Sequence, residues 1–296
     1  MKEKPFSKYQ ILANAVMIIW TLAIILPFIL LFMSSITDEN TLVANGYSFF
    51  PKKFSLASYS YIIKSGGQIL KAYGVSIGVT VVGTLLNVLL SALMAYPLSV
   101  KNLPGRNVMM FFVFFTMLFN GGIVPSYIMW TGTFHIKDTI FAQLLPNFLL
   151  SAWNVMMIRT YFTTSIPDGL YEAAEIDGAS QFTIFWKIVL PLGKPILVTM
   201  GTFAGLAYWN DWTNGLYYIV KNTNLYNVQN LLNQMVQNIQ FLTQSSNSNV
   251  TAAASTIPAT GIQMAIAFVA ILPIMLIFPS FQKYYAKGIA LGAVKG

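Results

Sequence analysis

Residues 165–191 read SIPDGLYEAAEIDGASQFTIFWKIVLP. Pro167 and Asp168 mark a helix start, since proline suits a first helical turn and a carboxylate there faces the positive end of the helix dipole. The short helix runs through Ile176 and breaks at Gly178. A second short helix places Phe182, Phe185, Trp186 and Val189 at i, i+3, i+4 and i+7 and ends before Pro191. Four of the nine acidic residues fall in this stretch: Asp168, Glu172, Glu175 and Asp177. A helix–turn–helix this rich in both apolar and acidic groups needs a partner surface. Lipid headgroups are a poor partner, because the anionic inner leaflet repels four carboxylates.

On both sides the chain turns apolar. Six stretches approach the roughly 20 residues that a helix needs to cross about 30 Å of hydrocarbon. They are Ile11–Met33, Ala72–Val100, Val108–Trp130, Thr139–Ile158, Ile196–Val220 and Ile262–Phe281. In lipid the backbone must satisfy its own hydrogen bonds, so each is expected to be a helix. The first is too long for a signal-peptide core and lacks a small-x-small cleavage site, so it reads as a retained span. Composition agrees: 56% of the 296 residues are hydrophobic and 9% are charged, against about 25% charged in soluble domains. The expected fold is an all-α membrane protein of six transmembrane helices. Cysteine is absent, which excludes disulfides and thiolate chemistry.

The net charge of +8 forms no basic patch with interleaved aromatics and reads instead as an orientation signal. With a cytoplasmic N-terminus the inner segments hold Lys2, Lys4, Lys8, Lys101, Arg106, Arg159, Lys187, Lys194, Lys283, Lys287 and Lys295. The outer ones hold Lys52, Lys53, Lys64, Lys71, Lys137 and Lys221. Eleven against six favours both termini in the cytoplasm. The outer loops are then 34–71, 131–138 and 221–261. The last contains an uncharged amphipathic helix, Leu225–Thr243, with an Asn/Gln face turned away from its apolar one. The pairs Gly74/Gly78 and Gly201/Gly205 read as close-packing points.

The quoted loop resembles the EAA motif of ABC importer permeases, written E-A-A-x-x-x-G-x9-I-x-L-P. Glu172, Ala173, Ala174, Gly178, Ile188, Leu190 and Pro191 match each position at the family spacing. The resemblance implies a type I importer fold, with this loop, including Asp177, seated on a separate ATPase. The C-terminal Gly292, Ala293, Val294, Lys295 and Gly296 look like the tail of the carbohydrate-type permeases, which reaches the ATPase interface. Phe119–Pro125, with Val124 as a mild departure, resembles the FxGGxIP stretch of the branch handling oligosaccharides from polysaccharide breakdown, and Trp209–Trp212 resembles that family's WN segment.

These likenesses imply a cytoplasmic-membrane subunit forming half of an oligosaccharide pathway. Its partners would be a second homologous permease, two ABC ATPases and an extracytoplasmic binding protein. Mg-ATP would sit on the ATPase, with no cofactor in this chain. The expected layout is a tail at 1–10, a first span and outer loop at 11–70, a core at 71–283 and a tail at 284–296, with the first span wrapping around a partner.

Asp211 is the only carboxylate inside an expected span, flanked by Tyr208, Trp209, Asn210 and Trp212. Such a group is costly in lipid unless it meets a cavity, a partner or the interface. Sugar contact and interfacial anchoring both remain open for this cluster and for Asn120. His135 has no ligand-spaced companion, so no metal site is expected. The Gly193–Lys194 pair is followed by Pro195 and lacks the first glycine of a phosphate-binding loop, so the chain is not expected to be an enzyme. The competing reading is an ion-coupled secondary transporter, which leaves the EAA loop unexplained.

Overall fold

The computed structural model describes residues 8–64, 66–244 and 259–293. In chain order the helices are α1 (Lys8–Ser35), α2 (Glu39–Asn45), α3 (Ala57–Lys64), α4 (Gly66–Ser99), α5 (Arg106–Leu118) and α6 (Ile123–Ile128). There follow α7 (Phe141–Leu144), α8 (Ala152–Ser165), α9 (Asp168–Ile176), α10 (Gln181–Ile184) and α11 (Leu190–Leu192). The last four are α12 (Lys194–Trp209), α13 (Thr213–Tyr218), α14 (Val228–Gln244) and α15 (Ala259–Ala293). Two π-helical turns, Met129–Thr133 and Phe185–Val189, extend α6 and α10. The only β pairing among the described residues is a single bridge, Thr37 to Phe54.

Three helices are individually long and apolar enough to span: residues 8–35, 67–99 and 260–277. Two bent pairs raise the number to at most five: 106–118 with 123–133 at 109°, and 181–192 with 194–209 at 78°. Six were expected from the sequence, so not all of them are found as spans. The third is interrupted at Gly122, whose φ of +87° is left-handed and whose N–H is held by Asn120 Oδ1 at 2.8 Å. The fourth, expected over 139–158, gives only α7 and the start of α8. Pro146 cannot donate within a helix, and Asn147 adopts φ +67°. The fifth ends at Trp209, before the short α13.

The chain divides into two compact units, residues 1–69 with 232–273 and residues 70–231 with 274–296. In the first, α1 is apolar around its whole circumference. Ile11, Met17, Trp20 and Ile24 are more than half exposed, as a helix facing lipid should be. Ile62 from α3 meets Ile262, Ala265 and Ile266 of α15 in a small core. Glu39 accepts from the Thr260 and Gly261 N–H groups at 2.9 and 2.8 Å, satisfying donors at the start of α15.

The second unit holds the main core. Ala92, Ala95 and Leu98 of α4 pack with Val155, Ile158 and Phe162 of α8 and with Ile184, Phe185 and Val189. Gly201 and Gly205 lie against Val88, Thr84 and Thr80 of α4, the close approach their spacing predicts. Gly74 and Gly78 differ, with open space around both.

Candidate functional site

The stretch around Gly178 folds as two short helices on either side of a tight turn. The helix α9 begins after Pro167 with Asp168 in its first turn. It closes with Gly178 N–H donating to Glu175 O at 3.0 Å and Ala179 N–H to Ala174 O at 2.9 Å. These are the two bonds of a Schellman cap. Gly178 has φ +76°, a conformation that a side chain with a Cβ resists. Ser180 then caps α10, its Oγ accepting from Thr183 N at 3.2 Å.

One face of this unit is locked to the core. Ala174, Ile184, Phe185 and Val189 are buried, with Ile188 and Leu190 packed against the same cluster. The Tyr96 hydroxyl donates to Gln181 Oε1 at 2.6 Å, and Gln181 Nε2 donates to Glu175 Oε1 at 2.7 Å. Lys101 forms an ion pair with Asp168 at 2.5 Å. The other face has no cover among the described residues. Glu172, Ala173, Asp177, Gly178 and Pro191 are exposed, Ile176 at 86% and Phe182 at 65%. The apolar stripe expected on the second helix is thus divided, with Phe185 and Val189 inward and Phe182 and Trp186 outward.

Such a surface, apolar and acidic yet rigidly backed, is of the kind that marks protein contacts. Residues 6–291 match the family described as binding-protein-dependent transport system inner membrane component. The chain belongs to that family. It is a membrane-embedded permease of the ABC importer class, a transport subunit, as the loop's resemblance implied.

Among relatives of this permease, Protein LplC of Bacillus subtilis (strain 168) is 36% identical over 92% of this chain and 90% of that protein. The polygalacturonan/rhamnogalacturonan transport system permease protein YtcP of the same organism is 36% identical, covering 97% of this chain and 98% of its own length. A solved structure described as a bacterial ABC transporter involved in the import of the acidic polysaccharide alginate superposes with a TM-score of 0.79. It is 26% identical and covers 96% of this chain and 100% of its own.

The remaining candidate residues lie apart from this loop. Asn120 is exposed at the bend before α6. Asn210 and Trp212 are exposed, whereas Tyr208, Trp209 and Asp211 are buried. Asp211 Oδ1 accepts from the N–H groups of Thr213 and Asn214 at 2.9 and 3.2 Å, so its carboxylate caps α13. The Tyr208 hydroxyl donates to Leu144 O at 2.9 Å. Gly292 and Ala293 end α15, while Val294, Lys295 and Gly296 lie outside the described residues. Among the described residues no group of His, Asp or Glu is placed to hold a metal.

Around Asp211 the structure adds residues that the sequence did not single out. Asn227 Nδ2 donates to Asp211 O at 2.6 Å and to Gln143 Oε1 at 3.4 Å. Gln143 Nε2 donates to Leu225 O and to Asn230 Oδ1, each at 3.2 Å. Asn230 Nδ2 donates to Trp212 O, and Asn214 Nδ2 to Pro146 O at 3.1 Å. Val228 N–H reaches Ser76 Oγ of α4 at 2.9 Å. These amides are buried, so the start of α14 packs on its neighbours through its polar face as well. Asp138 completes the arrangement by accepting from the N–H groups of Val220, Lys221 and Asn222 at 2.7, 2.7 and 3.2 Å.

Proposed function

We propose that this permease forms one half of the translocation pathway of an ATP-driven oligosaccharide importer. A separate ABC ATPase is seated on the face carrying Glu172, Ile176, Asp177 and Phe182, and Mg-ATP is bound and hydrolysed there. Closure of two such ATPases pushes on α9 and α10, and the core contacts of Ala174, Ile184 and Phe185 pass the displacement to α4 and α8. The observation that carries this reading is the loop itself, with one face locked into the core and the other uncovered.

A second, homologous permease completes the pathway, and an extracytoplasmic binding protein delivers the ligand. The substrate class follows from relatives whose names specify polygalacturonan/rhamnogalacturonan transport or alginate import. Asn120, Asn210 and Trp212 are the exposed candidates for sugar contact, with Tyr208, Trp209 and Asp211 supporting them from within. Six crossings of the cytoplasmic membrane, with both termini inside, fit the distribution of Lys and Arg. The third, fourth and fifth are then broken rather than straight. The C-terminal residues 292–296 reach the ATPase interface.

Mild-detergent purification of the tagged chain, with identification of co-purifying proteins, tests the proposal. Recovery of a second permease and an ATPase whose activity responds to loaded binding protein is the expected result. A chain recovered alone, and competent for uptake after reconstitution without ATP, would establish the ion-coupled secondary transporter instead.

A further inference from the structure

Three polar side chains join the two short helices of the loop to α4. The Tyr96 hydroxyl of α4 donates to Gln181 Oε1 at 2.6 Å, and Gln181 Nε2 donates to Glu175 Oε1 at 2.7 Å. Gln181 opens α10 and Glu175 lies in the last turn of α9, so this one amide bridges the turn at Gly178. Its orientation is fixed by its neighbours. A carboxylate only accepts, so the amide must offer it an N–H, which leaves the amide oxygen for the Tyr96 O–H. Both donors then point the same way along the chain, and bonds so aligned polarise one another.

Tyr96 is also where the apolar contacts of the two helices converge. The residue is 8% exposed. Its ring stacks on Tyr171 of α9 with centroids 6.4 Å apart and meets Phe185, just beyond α10, at 5.4 Å. Apolar contacts are non-directional. They resist compression, but they leave one helix free to slide across its neighbour. A hydrogen bond fixes both distance and direction, so the polar relay adds a register that packing alone lacks. Glu175 and Gln181 are exposed in this chain. A protein seated over the loop would exclude water from the bond between them and strengthen it.

We propose that Gln181 is a positioning residue that, with Tyr96 and Glu175, passes movement of α9 to α4 both inward and outward. The relay rests on the reading of the loop as the seat of an ATPase. Loss of the Tyr96 hydroxyl alone, with every ring left in place, breaks it.

The test uses the whole importer complex carrying Gly78→Cys, since the chain has no cysteine of its own. Gly78 lies eighteen residues before Tyr96 on α4, about 27 Å along the helix at 1.5 Å per residue. It has open space around it and lines a cavity of about 580 Å³ with Val79, Val82 and Leu144. Labelling of this position by N-ethylmaleimide is timed without nucleotide and after trapping with ATP and vanadate. Nucleotide is expected to change the rate by about fivefold or more, the low end of coupling between distant sites. Tyr96→Phe should reduce that change to about twofold or less, and so should Gln181→Glu, which sets two carboxylates face to face. Combining Gln181→Glu with Glu175→Gln should restore it, because the introduced amide can donate to the introduced carboxylate. That restoration separates a lost relay from a lost fold. An unchanged nucleotide effect in Tyr96→Phe would overturn the proposal, as would a double variant no better than Gln181→Glu alone. So would an intact relay that shows no nucleotide effect while ATPase is bound and trapped. A complex that holds no ATPase would overturn the reading of the loop itself, and the relay with it.

Discussion

Two regions at opposite ends of α4 handle polar groups in opposite ways. Near Tyr96 the loop at 165–191 leaves Glu172, Asp177, Ile176 and Phe182 exposed, with no cover among the described residues. Near Ser76 the amides of Gln143, Asn214, Asn227 and Asn230 are spent on one another and on backbone carbonyls. The two anchor points are twenty residues apart on one helix, about 30 Å at 1.5 Å per residue, close to the thickness of a bilayer core. One end is an uncovered surface, and the other is a closed clamp of buried amides. On the proposed function, movement imposed on the first would be delivered to helices whose far ends are held.

The comparison predicts that substitutions at the open end damage coupling without unfolding the chain. Gly178→Val forces a β-branched residue into the left-handed region, where even an ordinary side chain costs about 1–2 kcal/mol. Uptake by reconstituted complex should fall by on the order of tenfold or more, with helical content unchanged by circular dichroism. Gly178→Asn, which tolerates that conformation better, should retain more transport. Normal uptake by the Val variant would remove the coupling role assigned to this turn.

At the closed end the expected loss is stability. Asn230→Leu strips the Trp212 carbonyl and Gln143 of partners in a buried site, at about 2–3 kcal/mol. Thermal denaturation of the purified complex should show a lowered midpoint, while ATPase stimulation by binding protein persists below it. A variant that keeps its midpoint but loses stimulation would mean that the clamp belongs to transport rather than to stability.

The contrast also explains what the sequence disclosed. The loop at 165–191 was legible because a helix start, a required glycine and a fixed apolar spacing all act locally, and its two short helices and the turn at Gly178 form where that reading puts them. The long apolar runs of α1, α4 and α15 were legible from length alone. The bends were less so, because Gly122 and Asn147 adopt left-handed backbone only where Asn120 or the buried Asn214 meets the turn. The amide clamp was invisible for a different reason. Its bonds from Gln143 to Asn227 and Asn230 and from Asn214 to Pro146 join residues 84, 87 and 68 apart, and an uncharged Asn has no periodicity to betray its partner.

Asp138, which holds the backbone at 220–222, gives that loop a pH dependence. The N–H of Lys221, followed by those of Asn222 and Val220, holds its carboxyl below the usual carboxylate range. A folded pKa below the unfolded value of about 3.9 stabilises above that value, and the benefit is lost as pH falls through the folded pKa. Melting midpoints of the wild type should therefore fall more steeply below about pH 4 than those of Asp138→Asn. Parallel curves would show that the three N–H groups do not depend on the charge.

The smallest effect is expected at Asp211, and it separates the two residues that stand side by side there. Asp211 Oδ1 is occupied by the Thr213 and Asn214 N–H groups, and an asparagine oxygen can accept the same bonds. Asp211→Asn should therefore leave uptake kinetics close to wild type. Trp212, exposed at 46%, has an indole face available for stacking on a sugar ring, so Trp212→Ala should raise the ligand concentration needed for half-maximal uptake. If instead Asp211→Asn alters transport and Trp212→Ala does not, the buried carboxylate must become accessible during the cycle. The closed clamp would then have to open, and the two ends of α4 would no longer differ in kind.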